Sequence, residues 1–313
     1  MIEIIKKGAL TTIQDSGRQN HRSAGINTSG VMDFISFRLL NILLKNNQNE
    51  AAIEMYFPAG TFLFEENCFF AITGADFSPY LNSEMLCNNK LHYAKKGDIL
   101  VFKKKISGEI AYLGIQGGIN TENWLGSKSI NRTVDFPNLK NLYKFKMATN
   151  LFFKKYNFGI SLNCFSAKFN TIEFVEGPEF EKLDEKAREL VFNSNFTIQP
   201  NSNRMGINLK GPVLKLNVKT EMFSCGVDIG TVQLLPNGQM VILMADAQAT
   251  GGYPRIGFVS KPAVAKIAQM SPSTEIQFKK ITAFESWESE RLVLRKLEII
   301  EASLSLKENA IKD

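Results

Sequence analysis

Short apolar runs broken by turn residues at roughly ten-residue intervals restrict this chain to a mainly β fold, a barrel or a sandwich. From residue 51 onward Ala52–Phe57 ends at Pro58-Ala59-Gly60, Thr61–Phe64 follows, and Cys68–Thr73 runs into Gly74-Ala75-Asp76. Asn82-Ser83 and Lys96-Gly97-Asp98 read as turns before Ile99–Phe102, and Ile110–Ile115 closes in Gly117-Gly118. The cadence returns in Thr171–Val175, Phe196–Gln199, Arg204–Leu209, Val213–Val218, Gly230–Leu235, Gln239–Met244 and Glu275–Phe278. Asn237-Gly238 between two apolar runs is the strongest short-range hairpin signal in the chain. Met1–Lys7 reads as one more short strand.

Few helices interrupt the pattern. Phe34, Phe37, Leu40 and Leu44 recur at helical spacing, widened by Leu39 and Leu43, and predict a helix over about 33–47 capped by Asp33 or Ser29. Shorter helices are expected over about 182–192 and over Ala263–Met270. Trp287, Leu292, Leu294, Leu297, Ile300 and Leu304 predict an amphipathic helix over about 284–308. Residues 120–170 have little periodicity and read as a loop-rich connection. The expected organisation is a β-rich unit over 1–165, a β-barrel over 166–283 and a C-terminal helix over 284–313. A length of 313 residues suits two domains.

Composition narrows the function classes. The net charge of +6 comes largely from scattered Lys, and clusters such as Lys103-Lys104-Lys105 sit beside strands, where they guard edges more often than they bind nucleic acid. With 24 Phe, the core should be aromatic-rich. The four cysteines form no CxxC pair, which argues for reduced thiols and against a zinc site; Cys225 reads as a buried small apolar residue. No apolar run approaches the ~18 residues that a membrane span needs, and the N-terminus lacks a signal-peptide core. A cytoplasmic protein with no nucleic-acid or membrane partner is expected.

Two histidines, His21 and His92, are the whole supply, so a histidine-based metal centre is not expected. There is no G-x-S-x-G elbow, no G-x-x-x-x-G-K-[ST] loop and no G-x-G-x-x-G. Lys146-Met147 lacks the flanks of a biotin-attachment hairpin. A site must therefore be built from carboxylates, amides, hydroxyls, arginines and backbone N–H groups.

Two loops collect such groups. Residues 11–33 hold Gln14, Asp15, Arg18, His21, Arg22, Ser29 and Asp33, with glycines at 17, 25 and 30. An Arg can hold a carboxylate or phosphate bidentately, and an adjacent Asp can orient it or act as a base. The same residues also suit a helix cap and an Asp15–Arg18 pair that merely fixes the loop. Residues 246–257 follow an apolar strand with Asp246, Gln248, Thr250, Gly251, Gly252, Tyr253 and Arg255, and the consecutive glycines permit positive φ or close backbone approach.

The ordered set Thr11-Thr-Ile-Gln-Asp-Ser-Gly-Arg18, Ser29-Gly-Val-Met-Asp33, Thr73-Gly-Ala75, Gly117-Gly-Ile119, Leu125-Gly-Ser127, Arg204-Met-Gly206, Ser224–Gly226, Gly230-Thr-Val-Gln233 and Asp246–Gly257 resembles the biotin-dependent carboxyltransferase family. That family includes the C-type subunits of 5-oxoprolinase, the kinase-inhibitor antagonist KipA and allophanate hydrolase subunit 2 domains. The resemblance runs from about residue 8 to 280. It implies two cyclophilin-like β-barrel units and a KipI-like partner, the B-type 5-oxoprolinase subunit, with a separate A-type subunit. The implied activity is ATP-dependent opening of 5-oxoproline to glutamate, with ATP and Mg belonging to the complex and no biotin attached to this chain. The family also implies two alternatives: a carboxyltransferase acting on urea or a related amide with a biotin-bearing partner, and a non-enzymatic KipA-like antagonist. Two departures stand out. The family usually has Ser-Arg-Ser-Thr where this chain has Ser127-Lys128-Ser129-Ile130, and Gln-Thr-Thr-Gly-Gly at Gln248-Ala249-Thr250-Gly251-Gly252. A Lys in place of an Arg fork would alter an anion site.

With this resemblance, Asp15, Asp246 and Thr250 are the catalytic candidates. Gln14, Arg18, Ser29, Asp33, Arg204, Gln248, Gly251, Gly252 and Tyr253 are the candidates for binding a lactam or amide substrate. Asp15/Arg18 and Asp246/Thr250 would face a shared cleft, with Arg18 or Arg204 holding the substrate's anionic group.

Overall fold

A computed structural model describes residues 2–130, 144–147, 170–217 and 222–312. The chain forms two compact units: Met1–Arg18, Ser29–Ser166 and Leu294–Asp313 make the first, and Gln19–Thr28 with Ala167–Val293 make the second. The expected boundary at 165/166 lies outside the described residues. The transfer of residues 19–28 to the second unit has no counterpart in the sequence reading.

Among the described residues, the first unit holds two antiparallel sheets. One runs in the order Ile119–Asn120, Lys144–Met147, Ile2–Lys6, Thr61–Phe64, Ile99–Phe102, Pro79–Leu81, Glu84–Met85. The other runs Leu10–Gln14, Ala52–Tyr56, Ser107–Ile115, Cys68–Asp76, Leu91–Ala94. Ile2, Phe62, Phe64 and Leu100 of the first sheet share one apolar core with Ile13, Ile53, Phe70, Ile72 and Leu113 of the second. Phe64 and Phe70 meet across it with ring centroids 4.9 Å apart, as the phenylalanine content leads one to expect. Lys144–Met147 corrects the loop reading of 120–170. It pairs with both Ile2–Lys6 and Ile119–Asn120, a backbone interaction that its Lys-rich sequence does not announce. Thr73-Gly74-Ala75-Asp76 is likewise not a turn: Gly74 takes φ +78°, and the strand continues to Asp76.

Helix α1, Phe34–Leu44, covers the strands Cys68–Asp76 and Ser107–Ile115. Its N-cap is Asp33, whose Oδ1 accepts from the backbone N–H of Ile35 and Ser36, satisfying two donors that a helix start leaves open. It stops at Lys45, which adopts the left-handed conformation and is thus the C-cap. Gly114 lets it dock: a Cβ there would meet Leu44 Cδ1 at 2.7 Å and Leu40 Cδ2 at 2.9 Å.

The second unit closes into a seven-stranded barrel in the order Thr171–Glu176, Arg255–Val259, Thr231–Leu234, Met240–Leu243, Gly206–Lys210, Phe196–Ile198, Glu275–Lys280. All neighbours are antiparallel except Thr171–Glu176 with Glu275–Lys280, the parallel pair. Gly257 is glycine because a Cβ would overlap the buried ring of Phe174 on the neighbouring strand. The Pro236-Asn237-Gly238 turn joins two barrel strands as expected, with Gly238 at φ +77°. Val213–Val218 is not a strand; among its described residues only Leu216 makes a β-bridge, to Leu183, and Val218 lies outside the described residues.

Helix α2, Glu185–Asn193, is capped by Asp184, and helix α3, Lys261–Ala268, by Ser260. Helix α4 spans Ala283–Lys312. Leu297 is buried on it, whereas Trp287 and Leu292, both expected on its inner face, are exposed. Among the described residues, no helix is long and apolar enough to cross a membrane.

Candidate functional site

The loop after Met240–Leu243 is anchored before it reaches solvent. The backbone N–H of Met244 and of Asp246 donates to the carbonyls of Met205 and Arg204, at 3.1 and 2.8 Å. The Arg204 guanidinium then grips the Asp246 carboxylate from both arms, Nε to Oδ2 at 2.7 Å and Nη2 to Oδ1 at 2.8 Å. The fork expected to hold a substrate anion is buried and engaged by Asp246 in this structure. Both carboxylate oxygens of Asp246 are engaged by that fork, so the side chain is committed to holding the loop.

Beyond Asp246 the side chains alternate. Ala247 and Ala249 are buried, while Gln248 and Thr250 are exposed. Thr250–Gly251 forms a two-stranded ribbon with Cys225–Gly226. Cys225 is therefore half-exposed rather than buried, and its Sγ lies 3.3 Å from the Phe223 carbonyl. Neither Gly251 nor Gly252 is among the glycines with positive φ. Gly251 is needed for close approach instead: a Cβ there would overlap the Gln233 side-chain amide. Gly252 is open, with Met222 O and Ser224 Oγ 3.7 and 3.8 Å from a built Cβ. Tyr253 is exposed beside it.

Residues 19–28 brace this ribbon. Arg22 Nη2 donates to the carbonyls of Val227 and Gln248, the latter at 3.1 Å, and Arg22 Nη1 lies 3.3 Å from Asp228 Oδ1. Asn27 Nδ2 donates to the Asp246 carbonyl at 3.2 Å. One arginine thus ties both ribbon strands at once. Arg255 is also committed. Its Nε and Nη2 donate to Glu179 Oε2 and Oε1 at 3.0 and 2.9 Å, and its backbone N–H adds a third bond at 2.8 Å. These bonds hold the Glu179 carboxyl below its usual range and raise Arg255. The loop therefore presents Gln248, Thr250, Tyr253 and the Gly252 backbone to solvent, with its arginines used as struts.

The first unit builds a second polar cluster around Asp15, which is buried. Its Oδ1 accepts from Ser127 Oγ and Ser129 Oγ, both at 2.6 Å, and from the Gly17 N–H at 2.8 Å; its Oδ2 accepts from the Lys128 N–H at 2.6 Å. Four donors converge on this one carboxylate, an arrangement that suits an organiser of the 127–129 turn. Arg18 is fully buried, donates to the Ser129 carbonyl and stacks 4.8 Å from the Trp124 ring centroid. A substrate could not reach it without rearrangement. Lys128, the residue that replaces the family's usual Arg, is paired with Glu50 at 2.5 Å.

Gln14 is buried, with Nε2 on Thr12 Oγ1 at 3.2 Å. Ser29 donates to the Ile130 carbonyl at 3.0 Å, and Asp33 is spent on capping α1. Beneath them Tyr112 donates to Glu54 at 2.8 Å while accepting from the Asp33 N–H, and burial raises its hydroxyl well above its ordinary value. Sequence reading missed the roles of Ser127, Ser129, Glu179 and Gln233. The serines carried a signal, since they flank Lys128 in a recognisable motif. Glu179 and Arg255 lie 76 positions apart with nothing local to link them.

Residues 24–280 match the model of the carboxyltransferase domain, subdomains A and B. The chain is 33% identical over 282 residues to the 5-oxoprolinase C-type subunit of Escherichia coli, covering 89% of this chain and 90% of that protein. It is 29% identical over 310 residues to the urea amidolyase of Saccharomyces cerevisiae, covering 88% of this chain but 16% of that protein. The structure of the K. lactis urea amidolyase superposes with a TM-score of 0.82 at 24% identity, over 95% of this chain and 20% of that one.

Proposed function

The chain belongs to the carboxyltransferase domain family, and on that premise we propose that it is the C-type subunit of an ATP-dependent 5-oxoprolinase complex converting 5-oxoproline to glutamate. The observation that carries this reading is co-extension. The resemblance covers 89% of this chain and 90% of the E. coli 5-oxoprolinase C-type subunit, whereas it touches only a small part of the urea amidolyases. The partner is a KipI-like protein, the B-type subunit, and an A-type subunit completes the complex.

The reaction breaks the lactam C–N bond; water supplies a hydroxyl to the carbonyl carbon and a proton to the nitrogen. Negative charge grows on the carbonyl oxygen as the carbon becomes tetrahedral. In this reading the exposed Gly252 N–H donates to that oxygen, and such a donor typically contributes about 3 kcal/mol of transition-state stabilisation. Exposed Gln248, Thr250 and Tyr253 supply an amide and two hydroxyls for the ring amide and the carboxylate. Asp246 and Arg204 hold the loop in place rather than touching substrate. In the complex, ATP with Mg²⁺ would supply the activation of the lactam, ending as ADP and phosphate with a further water consumed. The described residues of this chain include no glycine-rich phosphate loop to cradle a nucleotide.

The test is reconstitution with the KipI-like B-type partner and the A-type subunit, followed by ATP-dependent glutamate release from 5-oxoproline. Thr250→Ala and Gln248→Ala should lower turnover by about tenfold or more. Absence of turnover by the wild-type complex would sink the assignment, and a stable but inert complex would favour the KipA-like antagonist.

The urea amidolyase relatives support a second reading, a carboxyltransferase acting on urea or a related amide. It requires a biotin-bearing partner, so streptavidin blotting of the co-purified proteins separates the two.

A further inference from the structure

Gln233 has no part in the chemistry proposed above, yet its side-chain amide lies directly against Gly251. It sits on the barrel strand Thr231–Leu234, all four of whose residues are buried, and is itself 1% exposed. Its Nε2 is buried and has no hydrogen-bond partner. The neighbouring polar residue shows that this strand otherwise satisfies its polar groups: Thr231 Oγ1 accepts from the Asp228 N–H at 3.1 Å. An unpaired buried donor is a standing cost to the fold, and Leu or Met would fill the same volume without it. The amide approaches Gly251 nitrogen-first, with Nε2 2.4 Å and Cδ and Oε1 3.4 and 3.5 Å from where a Cβ would stand. The Gly251 backbone packs directly against it. That backbone belongs to a two-residue strand paired with Cys225–Gly226.

Resting on the function proposed above, we infer that Gln233 is a substrate-binding residue whose Nε2 donates to a carbonyl or carboxylate oxygen of the lactam when it binds over Gly251–Gly252. A donor reserved for the ligand explains both features at once. It accounts for an amide where an apolar side chain would be more stable, and for a glycine where any side chain would seal the amide off. Polar groups left unpaired in the free site are also what lets a site reject an analogue that lacks the matching acceptor.

The experiment uses Gln233→Met and Gln233→Leu, which keep volume and remove both N–H donors. Thermal unfolding of the full chain and steady-state kinetics of the reconstituted complex with 5-oxoproline are measured for each. The expected result is an unfolding midpoint equal to or above wild type with kcat/KM lower by about tenfold or more. Gly251→Ala should also lower kcat/KM, and its effect should shrink in a Gln233→Ala background, because the added methyl then has room. An active wild-type complex with Gln233→Met within about twofold of it overturns this inference alone. A lowered midpoint or failure to fold in both apolar variants assigns Gln233 a structural role and overturns it too. A wild-type complex that does not turn over 5-oxoproline overturns the functional reading, and this inference with it.

Discussion

Arg204 lays both arms of its guanidinium on the carboxylate of Asp246, at 2.7 and 2.8 Å, while the two residues also share a backbone hydrogen bond of 2.8 Å. The pair turns the end of a barrel strand into a fixed origin for the Gln248–Tyr253 loop. Both side chains are largely buried, so removing one leaves the other's charge uncompensated.

Arg204→Ala should therefore destabilise the chain by about 3–5 kcal/mol, the usual result of breaking a buried pair. Arg204→Lys should recover only part of the loss, because an ammonium cannot span both carboxylate oxygens. Urea unfolding of the isolated chain measures both. A loss below about 1 kcal/mol for Arg204→Ala would show that the pair behaves as a surface ion pair.

Much of this arrangement is illegible in sequence, for a physical reason. Signals that are local survive in the residues themselves: Asp33 before an apolar period, and Asn237-Gly238 between two strands. Arg204 and Asp246 meet only because Gly206–Lys210 and Met240–Leu243 pair in one register. Barrel closure depends on Thr171–Glu176 lying parallel to Glu275–Lys280, a contact across about a hundred residues that leaves no local trace. Lys144–Met147 joins its sheet through backbone groups, so its composition hid it. The exposed stretch of the loop was readable as polar, but not which of its charges were already spent.

The Glu179–Arg255 pair predicts a pH dependence. Arg255 holds the Glu179 carboxyl below its ordinary value, chiefly through side-chain hydrogen bonds. A carboxyl depressed in the folded state stabilises it above the unfolded value, and that contribution is lost as pH falls through the folded one. Wild type should lose stability from about pH 5 downward more steeply than Glu179→Gln, which has no such proton to take up. Arg255 stays charged throughout this window. Parallel slopes for the two proteins would mean that the pair contributes nothing to acid stability.

Asp15 makes a sharper claim about its serines. Ser127 and Ser129 both donate to Oδ1 at 2.6 Å from fully buried positions. Ser127→Ala or Ser129→Ala should each cost about 1.5–3 kcal/mol, as for hydrogen bonds to a charged group. The double variant should depart from their sum, because both hydroxyls share the one acceptor atom Oδ1. Asp15→Asn should destabilise as well, since an amide in that position turns an acceptor into a donor facing other donors. Equilibrium unfolding of the four variants checks the set.

Arg22 separates support from chemistry. It touches the Val227 carbonyl and Asp228 beside Cys225–Gly226 and the Gln248 carbonyl beside Thr250–Gly251, so it reaches both strands of the ribbon. None of its contacts is a group assigned to the substrate by its side chain. Arg22→Ala should cost about 1–3 kcal/mol of stability at this partly buried site. Because the loss is local, backbone amide exchange should speed up over residues 225–227 and 248–251 while the barrel strand Met240–Leu243 stays protected. In the reconstituted complex, kcat/KM should fall because the loop that carries Thr250 and Gly252 is less ordered before substrate arrives. Arg22→Lys should retain the Asp228 ion pair but not the reach to both carbonyls, and so should protect the ribbon only in part. Uniform acceleration of exchange across the whole barrel would instead make Arg22 a residue of global stability, and the ribbon would owe its order to the strand pairing alone.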